Sequence, residues 1–204
     1  MMKPDWFPDW RGQACVIVAS GPSAKDAPLE TIRGRAKVIA INTSWRLVPW
    51  ADGLYGCDCR WWQANADAMG FPGLKMTVAE NCDLPLKKLK LVNGTRIVME
   101  PGSIGSGSNS GFQATNLAVQ FGANPIIWVG FDMRVDHGLH WHGAHPDGLN
   151  NPREERVERW RRFLDDAAPD FKRLGVRIFN ASPISALKNY PKVSLADALQ
   201  GVPS

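Results

Sequence analysis

The sequence predicts an α/β protein with a Rossmann-like, mainly parallel sheet covered by helices on both faces. Three observations predict it. Short, continuous apolar runs recur along the chain, and most end at a small or polar residue. Runs without alternation belong to strands buried on both faces. Helical patterns lie between these runs, and alternating strands and helices build parallel βαβ units. At 204 residues, with no internal repeat, the chain forms one domain with a full core. Residues 1–13 read as an N-terminal extension of that single domain (1–204), and 133–151 as a histidine-rich loop or lid.

The first strand is the run Ala14 to Ala19, ending in the turn Ser20-Gly21-Pro22-Ser23. A short helix is expected near Asp26 to Ile32. Lys37 to Ile41 is the second strand, stopped by Asn42, and Gly53 to Cys57 the third, stopped by Asp58. Trp61 to Met69 has helical character and is ended by Gly70 and Pro72. Leu74 to Val78 and Arg96 to Met99 read as further strands. A helix follows from Phe112, with Ala114, Leu117, Ala118 and Phe121 on one face and Gly122 at its close. Pro125 to Phe131 is a buried strand stopped by Asp132. A helix from Arg153 to Ala167, a strand from Val176 to Phe179 and a helix near Ser194 to Leu199 complete the order.

Between Met99 and Phe112 lies the run Pro101 to Gly111, with four glycines and four serines. Glycine lets the backbone approach a ligand closely, and a helix N-terminus directs unpaired N–H groups into the same space. Such a loop suits an anion or a nucleotide; the alternative is a flexible linker. In parallel sheets, ligands bind beyond the carboxyl ends of the strands. The residues expected there are Gly21, Pro22, Ser23, Asn42, Asp58, Ser108, Asn109, Ser110, Gly111, Asp132 and Ser182, which converge on one nucleotide-binding cleft. Asn42 offers both donor and acceptor to a ribose or base. Gly21 and Ser23 equally suit a plain turn and helix cap, and Asn42 and Asp132 suit Asx turns.

Composition sets limits. No apolar run is long enough to span a bilayer, and the opening Met1 to Trp10 lacks a signal peptide's apolar segment. Cys15, Cys57, Cys59 and Cys82 show neither Cys-x-x-Cys spacing nor a disulfide-dense pattern, so a reducing cytoplasm is expected. The net charge of +4 sits largely in Lys87 to Lys90 and in the helix from Arg153, both read as solvated. Nucleic-acid binding is not indicated. Nine tryptophans read as core or interface packing, a homo-oligomer interface included, with base or sugar stacking as the sharper use. No Gly-Lys-Ser/Thr phosphate loop occurs, and the Ser20 turn departs from the dinucleotide fingerprint.

All four histidines fall between His137 and His145. Histidine titrates near neutral pH, so one of them suits a general base for a sugar hydroxyl. The spacing His140-x-His142-x-x-His145 also suits a zinc or manganese site, with Asp132, Asp136 and Asp147 at hand to complete it. It is similar to the His-x-His-x-Asp-His signature of binuclear metallohydrolases, but Ala144 stands at the aspartate position. A polar loop of exposed histidines is the third reading.

These pieces, in this order, resemble the bacterial sialyltransferases that use CMP-sialic acid and the short phage and bacterial proteins related to them. The resemblance is carried by Val16 to Ser23, Val38 to Asn42, Ser110-Gly111 ahead of Ala118 to Ala123, Ile126 to Asp132, Gly143 to His145 and Phe179 to Ser185. More distantly, the Gly21-Pro22-Ser23 start and the Gly130-Phe131-Asp132 strand end resemble archaeal-type pterin pyrophosphokinases. The resemblance implies a nucleotide-sugar-dependent glycosyltransferase, with a CMP-sugar donor favoured and an acceptor of unspecified chemistry. It gives nucleotide binding to the Ser23 turn, Asn42, Ser110, Gly111 and Asp132, and the catalytic base to His145 or else His142. It implies metal-independent catalysis with no cofactor, and no Asp-x-Asp motif occurs here. Met133-Arg134 stands where the family carries two phosphate-proximal tyrosines, so Arg134 is expected to stabilise the departing phosphate. The competing functions are nucleotide sequestration without catalysis and metal-assisted hydrolysis or pyrophosphoryl transfer.

Overall fold

The structure is a computed structural model and describes residues 3–146 and 149–200. Seven strands form one wholly parallel sheet. They are β1 (Cys15–Val18), β2 (Lys37–Ile41), β3 (Gly53–Tyr55), β4 (Leu74–Thr77), β5 (Lys87–Lys88), β8 (Ile126–Val129) and β9 (Ile178–Asn180). The remaining two, β6 (Lys90–Val92) and β7 (Ser103–Gly105), pair in parallel as a separate ribbon. The large sheet runs β5-β4-β3-β2-β1-β8-β9, so the order reverses between β1 and β8. That reversal is the topological switch point where open α/β sheets bind ligands.

The helices are α1 (Cys59–Ala64), α2 (Ser110–Gln120), α3 (Glu154–Asp166), α4 (Ala168–Arg173) and α5 (Leu195–Gln200). Successive strand residues point to opposite faces, and the core divides accordingly. Ile17, Ile39, Ile126 and Trp128 pack against Phe112, Leu117, Leu164 and Phe171 of α2, α3 and α4. Val16, Val18, Val38 and Val129 pack on the other side against Ile32, Trp62, Leu195 and Leu199. Each of these side chains is almost wholly removed from water. Full burial of one such aliphatic or aromatic group contributes roughly 1.5–3 kcal/mol. The expected sheet with helices on both faces is therefore present. Phe7 and Trp10 pack edge-on against Phe121, and the Trp10 amide donates to the Phe121 carbonyl at 2.7 Å. Among the described residues no helix is long and apolar enough to cross a membrane.

Several elements differ from expectation. Arg96 to Met99 forms no strand. Its backbone is served instead by side chains of α2: Asn116 accepts from the Val98 amide at 2.9 Å, while Asn116 and Gln120 both donate to the Val98 carbonyl at 2.7 Å. The strand preceding α2 is β7, inside the Gly/Ser run. Lys87 to Lys90, expected as a solvated stretch, supplies the edge strand β5 and the start of β6. Lysines on such an edge discourage pairing with another chain. The helix expected over Asp26–Ile32 is two 3-10 turns, Pro22–Asp26 and Leu29–Ile32, because Pro28 between them has no amide to continue the ladder. The helix expected from Trp61 begins earlier, where the Asp58 carboxylate caps the Arg60 amide at 2.9 Å, and gives way at Asn65 to a 3-10 turn. Cys59 and Cys82 form a disulfide with Cα atoms 5.5 Å apart. The fold brings together thiols 23 residues distant, which removes the cysteine argument for a reducing compartment.

Candidate functional site

A cleft of about 530 Å3 opens beyond the carboxyl ends of β1, β2, β3 and β8. Its floor is fixed by two strand ends. The buried Asp132 carboxylate accepts from the Ser23 amide at 2.8 Å and from the Ser23 hydroxyl. Gly21 sits where its amide donates to the Gly130 carbonyl at 2.9 Å, and a methyl there would meet Asp132 Oδ2 at 2.7 Å. Only glycine lets the β1 turn lie this close to the β8 turn. Burial pushes the Asp132 carboxyl above the ordinary carboxylate range, while the two Ser23 hydrogen bonds oppose that shift.

Three non-glycine residues have positive φ among the described residues: Asn42 (49°), Ser108 (55°) and Met133 (50°). All three border the cleft. Left-handed backbone at such residues costs about 1–3 kcal/mol each and concentrates at ligand sites. Here it turns β2, the Gly/Ser loop and the segment after β8 sharply at the cleft rim.

The other expected residues fall into distinct places. Asp58, Asn109, Ser110 and Gly111 also line the cleft, as do Arg134, His140 and His145. Asn109 is the N-cap of α2, its side chain accepting from the Phe112 amide at 2.9 Å. The Ser110 hydroxyl donates to Cys57 Sγ at 3.3 Å, and burial holds that thiol above its usual range. Pro22 and Ser23 instead face a second groove of about 750 Å3, beside His137 and Asn180. Ser182 is buried beneath the β8 turn, where its hydroxyl accepts from the Phe131 amide at 2.8 Å. Arg134 is engaged by Asp136 and by the Ile184 carbonyl at 3.2 Å. Asp147, expected as an extra metal ligand, lies outside the described residues.

The three histidines come together. Ring centroids of His140, His142 and His145 are 4.6–5.0 Å apart, and one ligand atom of each lies within 4.8 Å of the others. Nε2 of His140 and of His142 is buried without a hydrogen-bond partner among the described residues. Burial, and then the neighbouring rings, hold both imidazoles down to about pH 4; burial lowers His145 as well. The direction is the same for all three rings, towards the neutral imidazole. Its loop is tied at both ends. The Trp141 amide donates to the Ser20 carbonyl at 3.0 Å, and its indole donates to the Ser44 hydroxyl at 3.2 Å. The Asn151 side chain accepts from the His145 amide at 2.8 Å and donates to its carbonyl at 3.2 Å.

Sequence reasoning missed one wall. Helix α3 presents Arg156, Arg159 and Trp160 to the cleft, and Trp61 faces it from α1. Neither arginine side chain has a hydrogen bond or ion pair among the described residues, and the Trp160 indole N–H is buried without a partner there. The signal was available in the spacing 156, 159, 160, which places the three on one helical stripe. The charge pattern alone reads this helix as a solvated face, and its Glu154 and Arg161 do pair at 3.0 Å. No known family, characterised protein or solved structure matches this chain, so its function is argued from its own residues.

Proposed function

We propose that this chain binds a nucleotide-type ligand in the strand-end cleft and transfers a sugar from it, as a sialyltransferase-like glycosyltransferase. One observation carries the reading. At the switch point of a parallel sheet, the Gly21 turn, the N-terminus of α2 and two arginines unpaired among the described residues converge on a cleft of ligand size. In this reading Ser108 to Gly111 and the α2 amides face the phosphate, joined by Arg156 and Arg159. Asn42 meets ribose or base, and the indoles of Trp61 and Trp160 offer stacking faces. The histidine cluster, of which His140 and His145 line the cleft, is the proton-accepting centre for the acceptor hydroxyl. A CMP-sugar is the favoured donor.

The test is calorimetric titration of the protein with CMP, UDP, GDP and their sugars, followed by assay of donor hydrolysis without acceptor. Saturable binding with release of free sugar supports the proposal; binding to none of them removes it. A second reading, sequestration without turnover, draws on Arg134, whose pairing with Asp136 occupies the cation expected to meet the leaving phosphate. Tight binding with the nucleotide sugar recovered intact, broad acceptors supplied, would select that reading.

A further inference from the structure

We infer that His140, His142 and His145 form a site for one divalent transition-metal ion, with its remaining coordination positions open to the cleft. Three imidazole nitrogens already lie within 4.8 Å of one another, on a loop held by Ser20, Ser44 and Asn151. Zinc–nitrogen bonds of about 2.0–2.1 Å place tetrahedral ligands about 3.4 Å apart, so small ring rotations complete the contact. Gly143, at φ 85°, turns the chain so that its amide reaches the His140 carbonyl at 3.1 Å. That turn returns His142 and His145 over His140.

The orphaned nitrogens carry the argument further. Buried polar atoms nearly always find a partner, and two bare Nε2 atoms side by side call for a specific explanation. A cation satisfies both at once, whereas one histidine cannot satisfy another without suitably opposed tautomers. Among the described residues no carboxylate bears on the three rings. Imidazole donors favour zinc, copper, nickel or cobalt over magnesium or calcium. Three protein ligands with an open fourth position is the pattern of catalytic rather than structural zinc. His140 and His145 line the cleft, so the open side faces the proposed ligand. With its nitrogens on the ion, the cluster would no longer take the acceptor proton itself; the ion would instead lower the pKa of a bound hydroxyl and offer a Lewis acid to a phosphate oxygen. The inference concerns the histidines alone and stands whether or not the ligand is a nucleotide.

The experiment uses tag-free full-length protein, stripped with a chelator and confirmed folded by circular dichroism. Zn2+ titration is followed by calorimetry, and Co2+ titration by its visible absorption. One equivalent is expected, with a tetrahedral cobalt spectrum. His142→Gln and His145→Gln should each weaken binding by more than about a hundredfold, beyond the loss typical of an outer partner. His137→Gln, outside the cluster, should leave it unchanged. Absence of stoichiometric binding by folded wild-type protein overturns the site, as does equal weakening in the His137 variant. Because no nucleotide is present, failure here is separate from failure of the ligand proposal.

Discussion

A methyl group on Gly111 would meet the Phe131 ring at 2.7 Å and the Asn109 carboxamide at 2.9 Å. The sequence reads this glycine as part of a ligand-binding loop or of a flexible linker; the structure shows that its missing side chain lets α2 pack against the β8 turn. Gly111→Ala therefore acts on stability as well as on binding. Overpacking of this kind costs about 1–3 kcal/mol. At about 2–4 °C per kcal/mol for a chain of this size, the melting temperature should fall by several degrees. Gly70→Ala, with nothing within 4 Å of the new methyl and no positive φ, is the matched control. Equal melting temperatures for the two variants in differential scanning calorimetry would contradict this packing. Asn109→Ala tests the neighbouring cap. It removes the acceptor for the Phe112 amide and should cost about 1 kcal/mol, read as a lower urea midpoint at unchanged slope.

Among the elements, α3 is the one whose role depends most on what it faces. Its buried residues Val157 and Leu164 anchor it, which leaves Arg156, Arg159 and Trp160 turned to the cleft. Two uncommitted guanidinium groups on a cleft rim attract an anion without supporting the fold. Arg156→Gln and Arg159→Gln should each weaken binding of a nucleoside diphosphate about tenfold at low salt, with melting temperature unchanged. Arg162→Gln, exposed on the same helix but not on the cleft, should have no effect. Affinities identical to wild type in all three would remove α3 from the site. This wall was hard to read from sequence because facing the cleft is a long-range property. By contrast, β1, β2 and β8 were legible, since strands covered on both faces are uninterrupted apolar runs. So were their polar ends, because a buried parallel strand must stop before such residues. Arg96 to Met99 misled for a related reason: an apolar run looks the same whether strand amides or the side chains of Asn116 and Gln120 satisfy its backbone. The histidine cluster was visible as spacing, but only the Trp141 and Asn151 ties show why the three rings meet.

Over the whole molecule, the Cys59–Cys82 bridge connects the start of α1 to the segment after β4. Cys82 is buried in the layer that holds Trp61 and Trp62. Cys57, Asp58 and Trp61, next to Cys59 in sequence, line the cleft, so the bridge braces one cleft wall against the sheet. Closing a loop across a sequence separation of 23 restricts the unfolded chain and is worth roughly 3 kcal/mol. Reduction should therefore lower the melting temperature by about 6–12 °C. The Cys59→Ala/Cys82→Ala double variant should show the lower value without reductant and no further response to it. Cys57→Ser, whose thiol is outside the bridge, should keep the full reductant response. Ligand affinity should fall with the same perturbation, because the loosened wall must be ordered again on binding. A wild-type melting temperature insensitive to a strong thiol reductant, with free thiols rising from two to four on mass spectrometry, would show that packing alone holds this wall.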